Sequence, residues 1–263
     1  MNSFNTLLTA AVTTATLSLA AGTASAATLL ALGADGQLFK IDSSSQKVIA
    51  TMATNSPSPL RGIDVRPANG MLYALSNDHQ LHTLDLATGA ASKVASLNKQ
   101  LPGSGQAVID FNPVADKLRM LAADGTSFRV NVETGEVVVD GSVAYAAEGP
   151  YAGKSAKVVA GAYSNAYAGT QATALYTVDL ASSNLMLQNP PNDGIQQAVG
   201  KIVDGLQNAA LDIASDGKGG NTAYLLTGTT LHTLDLATGK PTTLGDIAGL
   251  PGNIIDIAVL PGM

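Results

Sequence analysis

The sequence predicts an all-β fold, a five-bladed β-propeller of four-stranded antiparallel blades, closed by pairing of the C-terminal strand with the N-terminal blade. Three observations carry this expectation. The nine residues from Leu81 to Gly89 recur unchanged from Leu231 to Gly239. The sequence around them extends to a unit of about 45 residues holding four short apolar stretches. The two chain ends hold complementary fragments of one further unit, which a ring needs and an open solenoid does not.

Taken in order, the N-terminal fragment supplies Leu29 to Leu32, Gln37 to Asp42 and Val48 to Met52, three strands without a first one. The second unit reads Gly62-Ile63-Asp64-Val65, Met71 to Leu75, Gln80 to Asp85 and Ala91 to Leu97. The third follows without a gap, through Ile109-Asp110-Phe111, Leu118 to Leu121, Phe128 to Asn131 and Val137 to Val139. The fourth diverges, with Val158 to Tyr163, Ala174 to Val178, Leu185 to Gln188 and Gln197 to Ile202. The fifth returns to pattern with Leu211-Asp212-Ile213, Tyr224 to Leu226, Leu231 to Asp235 and Pro241 to Leu244. Ile254 to Val259 is then a lone first strand, the piece the N-terminus lacks. Alternating side chains point to opposite faces of a strand, so each face of a blade can pack on a neighbour. Asp-x-x-Thr-Gly, Asn77-Asp78 and Asp124-Gly125 are hairpin chemistry, because Asn, Asp and Gly tolerate positive φ. Asp216 to Asn221 reads as a long hairpin, lacking the spaced carboxylates of an EF-hand and the Lys-Ser/Thr of a phosphate loop. A β-sandwich is the alternative fold, but it does not call for whole four-strand units.

Leu7 to Ala21 is apolar and small, and Ala24-Ser25-Ala26 has the form of an Ala-x-Ala cleavage site, so residues 1–26 are expected to be a signal peptide and 27–263 a single exported domain, periplasmic or extracellular. The leader lacks the usual basic residue near its start; a buried N-terminal helix is the competing reading. No later segment is long and apolar enough to suggest a membrane span. There is no cysteine, which removes disulfides and thiolate chemistry. With 14 Lys and Arg against 20 Asp and Glu, nucleic acid and anionic lipid are not expected as partners. A monomer is expected. Trp is absent, which weakens a lectin reading.

The runs Phe111-Asn112-Pro113, Asp116-Lys117-Leu118-Arg119, Thr134-Gly135 and Asp140-Gly141, with Gln188-Asn189-Pro190-Pro191-Asn192-Asp193-Gly194 the most specific, resemble the exported bacterial family termed domain of unknown function 4394. The resemblance spans nearly all of the chain after the leader. It implies a propeller-like exported domain and brings no activity with it.

Four acids recur in the first strands, Asp64, Asp110, Asp212 and Asp256, where the fourth unit has Gly161 or Ala162. They are the candidate metal ligands, since a ring of carboxylates near the axis could hold a hard cation such as Ca2+. No motif implies a cofactor. The competing reading is that each acid is satisfied by backbone amides and repeats because the fold repeats. Register places Asp110 opposite Arg119 and Asp64 opposite Tyr73. This gives an expected Asp110–Arg119 ion pair in place of Asp–Tyr hydrogen bonding, or alternatively an anion-binding Arg119 in the channel. His82 and His232 share a position with Phe39, Phe128 and Met186 and read as packing residues, whereas His79, in a turn, is expected to be solvated. No zinc-protease, serine-esterase or Walker motif occurs.

The repeat is interrupted twice, by Gly141 to Lys157 with Tyr145, Glu148 and Tyr151, and by Asn189 to Gly194 with Asn192 and Asp193. Longer loops on a regular scaffold are where function resides, so Asn189, Asn192, Asp193, Tyr145 and Tyr151 are the candidate binding residues. The functional expectation is a binding or scaffold module for a protein, glycan or envelope component. One alternative is a glycosidase-like hydrolase at the channel, with Asp110, Arg119, Asp212 and Glu148 as the candidate catalytic residues. The other is a Ca2+-stabilised structural module.

Overall fold

The computed structural model describes residues 26–261, so the expected leader lies outside them except for its last residue, Ala26. Five sheets form a ring of blades. Blade 1 contains β1 (Thr28–Gly33), β2 (Gln37–Asp42) and β3 (Lys47–Ala53), with β21 (Ile254–Val259) as its innermost strand. Blade 2 is β4 (Leu60–Val65), β5 (Leu72–Ser76), β6 (Gln80–Leu84) and β7 (Ala91–Ser96). Blade 3 is β8 (Val108–Asn112), β9 (Lys117–Leu121), β10 (Ser127–Val130) and β11 (Val137–Val139). Blade 4 takes in β12 (Ala144–Tyr145), β13 (Val158–Tyr163), β14 (Leu175–Asp179), β15 (Asn184–Gln188) and β16 (Ile195–Lys201). Blade 5 is β17 (Ala210–Ser215), β18 (Asn221–Thr227), β19 (Thr230–Leu234) and β20 (Pro241–Asp246).

Closure is as the chain ends predict: β21 runs antiparallel to β1, with Ala31 opposite Ile257. The tail of the chain thereby supplies the inner strand that blade 1 would otherwise lack. The innermost strands β21, β4, β8, β13 and β17 contact their neighbours around a central channel. Blade 4 departs from the four-strand expectation. Its fifth strand, β12, belongs to the first insertion and lies parallel to β16 at the outer edge, pairing Tyr145 with Gln196. The second insertion is a 3₁₀ turn, Pro191–Asp193, ended by Gly194 at φ 73°, where a Cβ would meet Ser142 O at 2.4 Å. No helix among the described residues is long and apolar enough to cross a membrane.

The core lies between blades. Leu30, Leu32 and Leu38 meet Ile63, Leu72 and Ala74 at the 1–2 interface, and Tyr73, Leu75 and Leu81 meet Phe111, Leu118 and Met120 at the 2–3 interface. Blades 4 and 5 join through Val178, Leu185, Leu211 and Leu225, and blades 5 and 1 through Tyr224, Leu226, Leu29 and Ile41. The 3–4 interface has only a small buried apolar cluster, Val108, Leu121 and Val158.

Candidate ligand site at the channel mouth

The recurrent acids sit on the innermost strands and are buried. Each reaches sideways to the next blade. Asp256 Oδ2 accepts from the Ile63 amide at 2.8 Å, Asp64 Oδ2 from Phe111 at 2.6 Å, Asp110 Oδ1 from Tyr163 at 2.9 Å and Asp212 Oδ2 from Val259 at 2.5 Å. The other oxygens of Asp64, Asp212 and Asp256 accept from the amide of the following residue. At the Asp256–Ile63 staple the close approach requires Gly62 to have no side chain; a Cβ there would lie 2.9 Å from Asp256 Oδ2 and 2.5 Å from Ile109 Cγ1. Blade 4 has no acid to reach blade 5. Gln106 spans that junction instead, its Nε2 donating to Val159 O at 3.0 Å and Ala209 O at 3.1 Å.

The four acids therefore act as staples between blades, the reading in which backbone amides satisfy them. Three also converge: ligand atoms of Asp64, Asp110 and Asp212 lie within 4.8 Å of one another. These three form part of the wall of a cavity of about 1020 Å³ at one mouth of the channel, whose other walls include Lys40, Leu86, Ala87, Tyr167 and Tyr224. Asp256 does not line it. Burial, and then the charge of neighbouring acids, pushes Asp64 and Asp110 well above the usual carboxylate range. Burial also raises Asp256 well above that range. Asp212, where burial is partly offset by the Val259 and Ile213 amides, is pushed up to about 6. Burial thus favours the neutral form of these carboxyl groups. Each acid offers one converging oxygen, and three oxygens fall short of the six to eight Ca2+ takes, so a cation held here would draw the rest from water or ligand.

Arg119 behaves differently from the expectation. Its backbone is opposite Asp110, as the register predicts, and Asp64 is likewise opposite Tyr73. The side chains do not pair. Arg119 is fully buried and donates to Asp140 Oδ2 at 2.5 Å, Asn192 Oδ1 at 2.7 Å, Ser127 Oγ at 3.0 Å and the Tyr163 hydroxyl at 3.3 Å. The Tyr73 hydroxyl accepts from Arg66 and Asn69 instead. The inner-strand acids turn sideways to neighbouring amides, which leaves the residue opposite to find partners elsewhere. Arg119 does not line the channel cavity, so neither the ion pair with Asp110 nor an anion site in the channel describes it.

Arg129 binds the same Asp140 through Nε and Nη2. Burial works against an ionised Asp140, but the hydrogen bonds from Arg129 and Arg119 outweigh it and hold its pKa below the ordinary value. The Asn189–Gly194 turn belongs to this cluster: Asn192 O accepts from the Gly141 amide, and Gln188 Nε2 donates to Pro191 O. Asn189 O accepts from Gln197 Nε2, and Asp193 is exposed. The turn is a clamp between blades 3 and 4.

Tyr145, Glu148 and Tyr151 are brought together, away from the channel, in a pocket of about 280 Å³ against β16. Glu148 therefore shares no cavity with Asp110 or Asp212. His82 is buried, in keeping with a packing role, with its Nε2 3.1 Å from Ser76 Oγ. His79 is half-buried rather than solvated, with Nδ1 buried, and burial lowers its pKa. Lys40, Tyr167 and Gln106 were not singled out in the sequence: Tyr167 and Gln106 fall outside the repeated strands, and Lys40, within Gln37 to Asp42, carries no motif.

A family model matches residues 37–258, nearly the whole ring. The chain belongs to the family described as Domain of unknown function (DUF4394). In this DUF4394 chain the most specific run, Gln188 to Gly194, is the blade 3–4 clamp. A search of curated proteins finds no match. Among solved structures, a structural genomics protein of unknown function from Bacteroides thetaiotaomicron VPI-5482 aligns over 89% of the chain at 17% identity with a TM-score of 0.54, and the chain spans 65% of that protein. A protein of unknown function from Bacteroides caccae aligns over 90% of the chain and 100% of its own at 11% identity, with a TM-score of 0.45. The Bacteroides thetaiotaomicron structure shares the fold.

Proposed function

We propose that the protein is an exported binding propeller that takes a segment of a glycan, peptide or other envelope component into the cavity at the channel mouth. One observation carries this reading: a cavity of about 1020 Å³ with largely apolar walls ends on Asp64, Asp110 and Asp212. Pockets of this size with a few convergent polar groups are the usual form of a ligand site. Protonated carboxyl groups can donate to ligand carbonyls and ionised ones accept from ligand hydroxyls or amines, so acids whose pKa values burial raises suit a polar tip on an otherwise apolar segment. The test is an array of envelope polysaccharide fragments and peptides. Saturable binding is expected, reduced about tenfold or more by Ala87→Trp, which places an indole in the mouth, and by Asp110→Asn. No binding, or binding indifferent to both variants, would sink the reading.

A second reading, a glycosidase-like hydrolase, is favoured by the spacing of the three carboxyl groups, which is close to the roughly 5 Å of retaining glycosidases. Against it, each acid is already held by backbone amides. Release of nitrophenol from nitrophenyl glycosides by the wild type, absent in Asp212→Asn, would establish it; no release from a broad panel would remove it.

A further inference from the structure

We propose a second ligand site, for a single pyranose ring, on the outer edge of blade 4. It is independent of the channel reading. The first insertion does not wander over the surface. It adds β12 to the sheet and folds back, so that Tyr145 and Tyr151 lie with ring centroids 5.2 Å apart and planes inclined by 34°. The rings share the 280 Å³ pocket with Glu148, Pro150, Gln196 and Gln197.

The pocket is held rigidly. Tyr145 is fixed by its pairing with Gln196 and by its hydroxyl, which donates to Asp179 Oδ2 at 2.5 Å. Asp179 in turn accepts from the Lys157 amide and from Ser182. Tyr151 is anchored by Asn184 Nδ2, which donates to its hydroxyl at 2.7 Å. Gln196 is locked between Thr177 and Gln188. Tyr145 is buried beneath, and Tyr151, partly exposed and held in place, is the ring that presents an apolar face at little entropic cost.

The remaining polar groups select the ligand class. Lys154 Nζ already sits 5.5 Å from the Tyr151 ring centre, which disfavours an organic cation on that ring. Glu148, exposed at the rim, has no hydrogen-bond or ion-pair partner among the described residues and disfavours an anion. Gln197 uses one of its two amide donors on Asn189 O, which fixes its orientation and leaves Oε1 as an acceptor. A neutral ring with an apolar face and a rim of hydroxyls matches this set: C–H groups over Tyr151, hydroxyls donating to Glu148 and Gln197. The other four blades have no fifth strand, so the site arises only where the repeat is broken.

Saturation-transfer NMR of the full chain with methyl glucoside, mannoside and galactoside tests the assignment. Saturable contact with at least one pyranoside is expected, weakened about tenfold by Glu148→Ala and lost in Tyr151→Ala, with Ala87→Trp without effect. Glu148 is exposed and unpartnered, so its variant keeps the test valid whatever Tyr151→Ala does to folding. No binding to any pyranoside, or binding that survives both blade 4 variants, overturns the assignment. Binding lost in Ala87→Trp but retained in Glu148→Ala also overturns it, and places the sugar in the channel.

Discussion

The 2–3 and 3–4 interfaces do the same job with opposite chemistry. Between blades 2 and 3, Tyr73, Leu75 and Leu81 pack on Phe111, Leu118 and Met120, with Tyr73 edge-on to Phe111. Between blades 3 and 4 the apolar contact shrinks to Val108, Leu121 and Val158, and Arg119, Asp140, Arg129 and Asn192 fill the space outside it. A repeated scaffold can thus replace part of an apolar joint by a charged one, provided every buried charge finds a partner. Both insertions fall at this joint, and the clamp ties the second of them to blade 3.

The comparison can be broken most forcefully at Arg119. Arg119→Ala strips the buried Asp140 of one cation and is expected to cost about 3–5 kcal/mol, a fall of about 10 °C in Tm for a domain of this size. An unchanged melting curve would show that the clamp contributes nothing. Next in size is Asp64→Asn. An amide side chain keeps one acceptor oxygen where Asp64 uses two, so the Val65 or Phe111 amide loses its partner at about 1–3 kcal/mol, measurable by urea unfolding. Gln106→Ala should cost about 1–2 kcal/mol by the same measurement, because two carbonyls at the acid-free 4–5 junction lose their donor.

The smallest effect is the most discriminating, because it concerns sign. The ring acids have folded-state pKa values raised above the unfolded value, so their contribution to stability is complete below about pH 4 and is lost as pH rises through their folded values, which for Asp212 means through about 6. Asp140 and Asp116 are shifted the other way; Asp116 is held down by its hydrogen bonds from Arg66. Their contribution is present above about pH 4 and lost as pH falls. Asp110 spends only one oxygen on a backbone amide, so Asp110→Asn keeps the staple while removing one ionisable group. Its Tm relative to wild type should rise between pH 5 and pH 8. Parallel profiles for the two proteins would contradict a raised pKa for Asp110 in the folded ring.

The closure of the ring, the blade boundaries and the position of the acids were legible because each rests on a local pattern that recurs. Ile254 to Val259 could be placed in blade 1 from its sequence alone, since it supplies the strand that the N-terminal fragment lacks. The partner of Arg119 was not legible. Register identified the residue opposite it, but Arg119 spends its donors on Asp140 and on Asn192, far along the chain in the next blade, and no pattern along a strand encodes a contact between blades. The insertion at Gly141 to Lys157 stood out as a break in the repeat, yet nothing in its residues announced a parallel fifth strand.

By itself the sequence determined the all-β ring, the number of its blades and the staggered join of its ends, because alternation and repetition are properties of consecutive residues and hydrogen-bonded edges must be paired. Only the tertiary structure decided that three of the four acids converge on one cavity, that the charged residues form a clamp outside the channel, and that Tyr145 and Tyr151 share a pocket. The first two depend on distances between blades, which are set by the packing of whole sheets against each other, and the third on how the insertion folds back along β16; no local preference of the chain sets any of them.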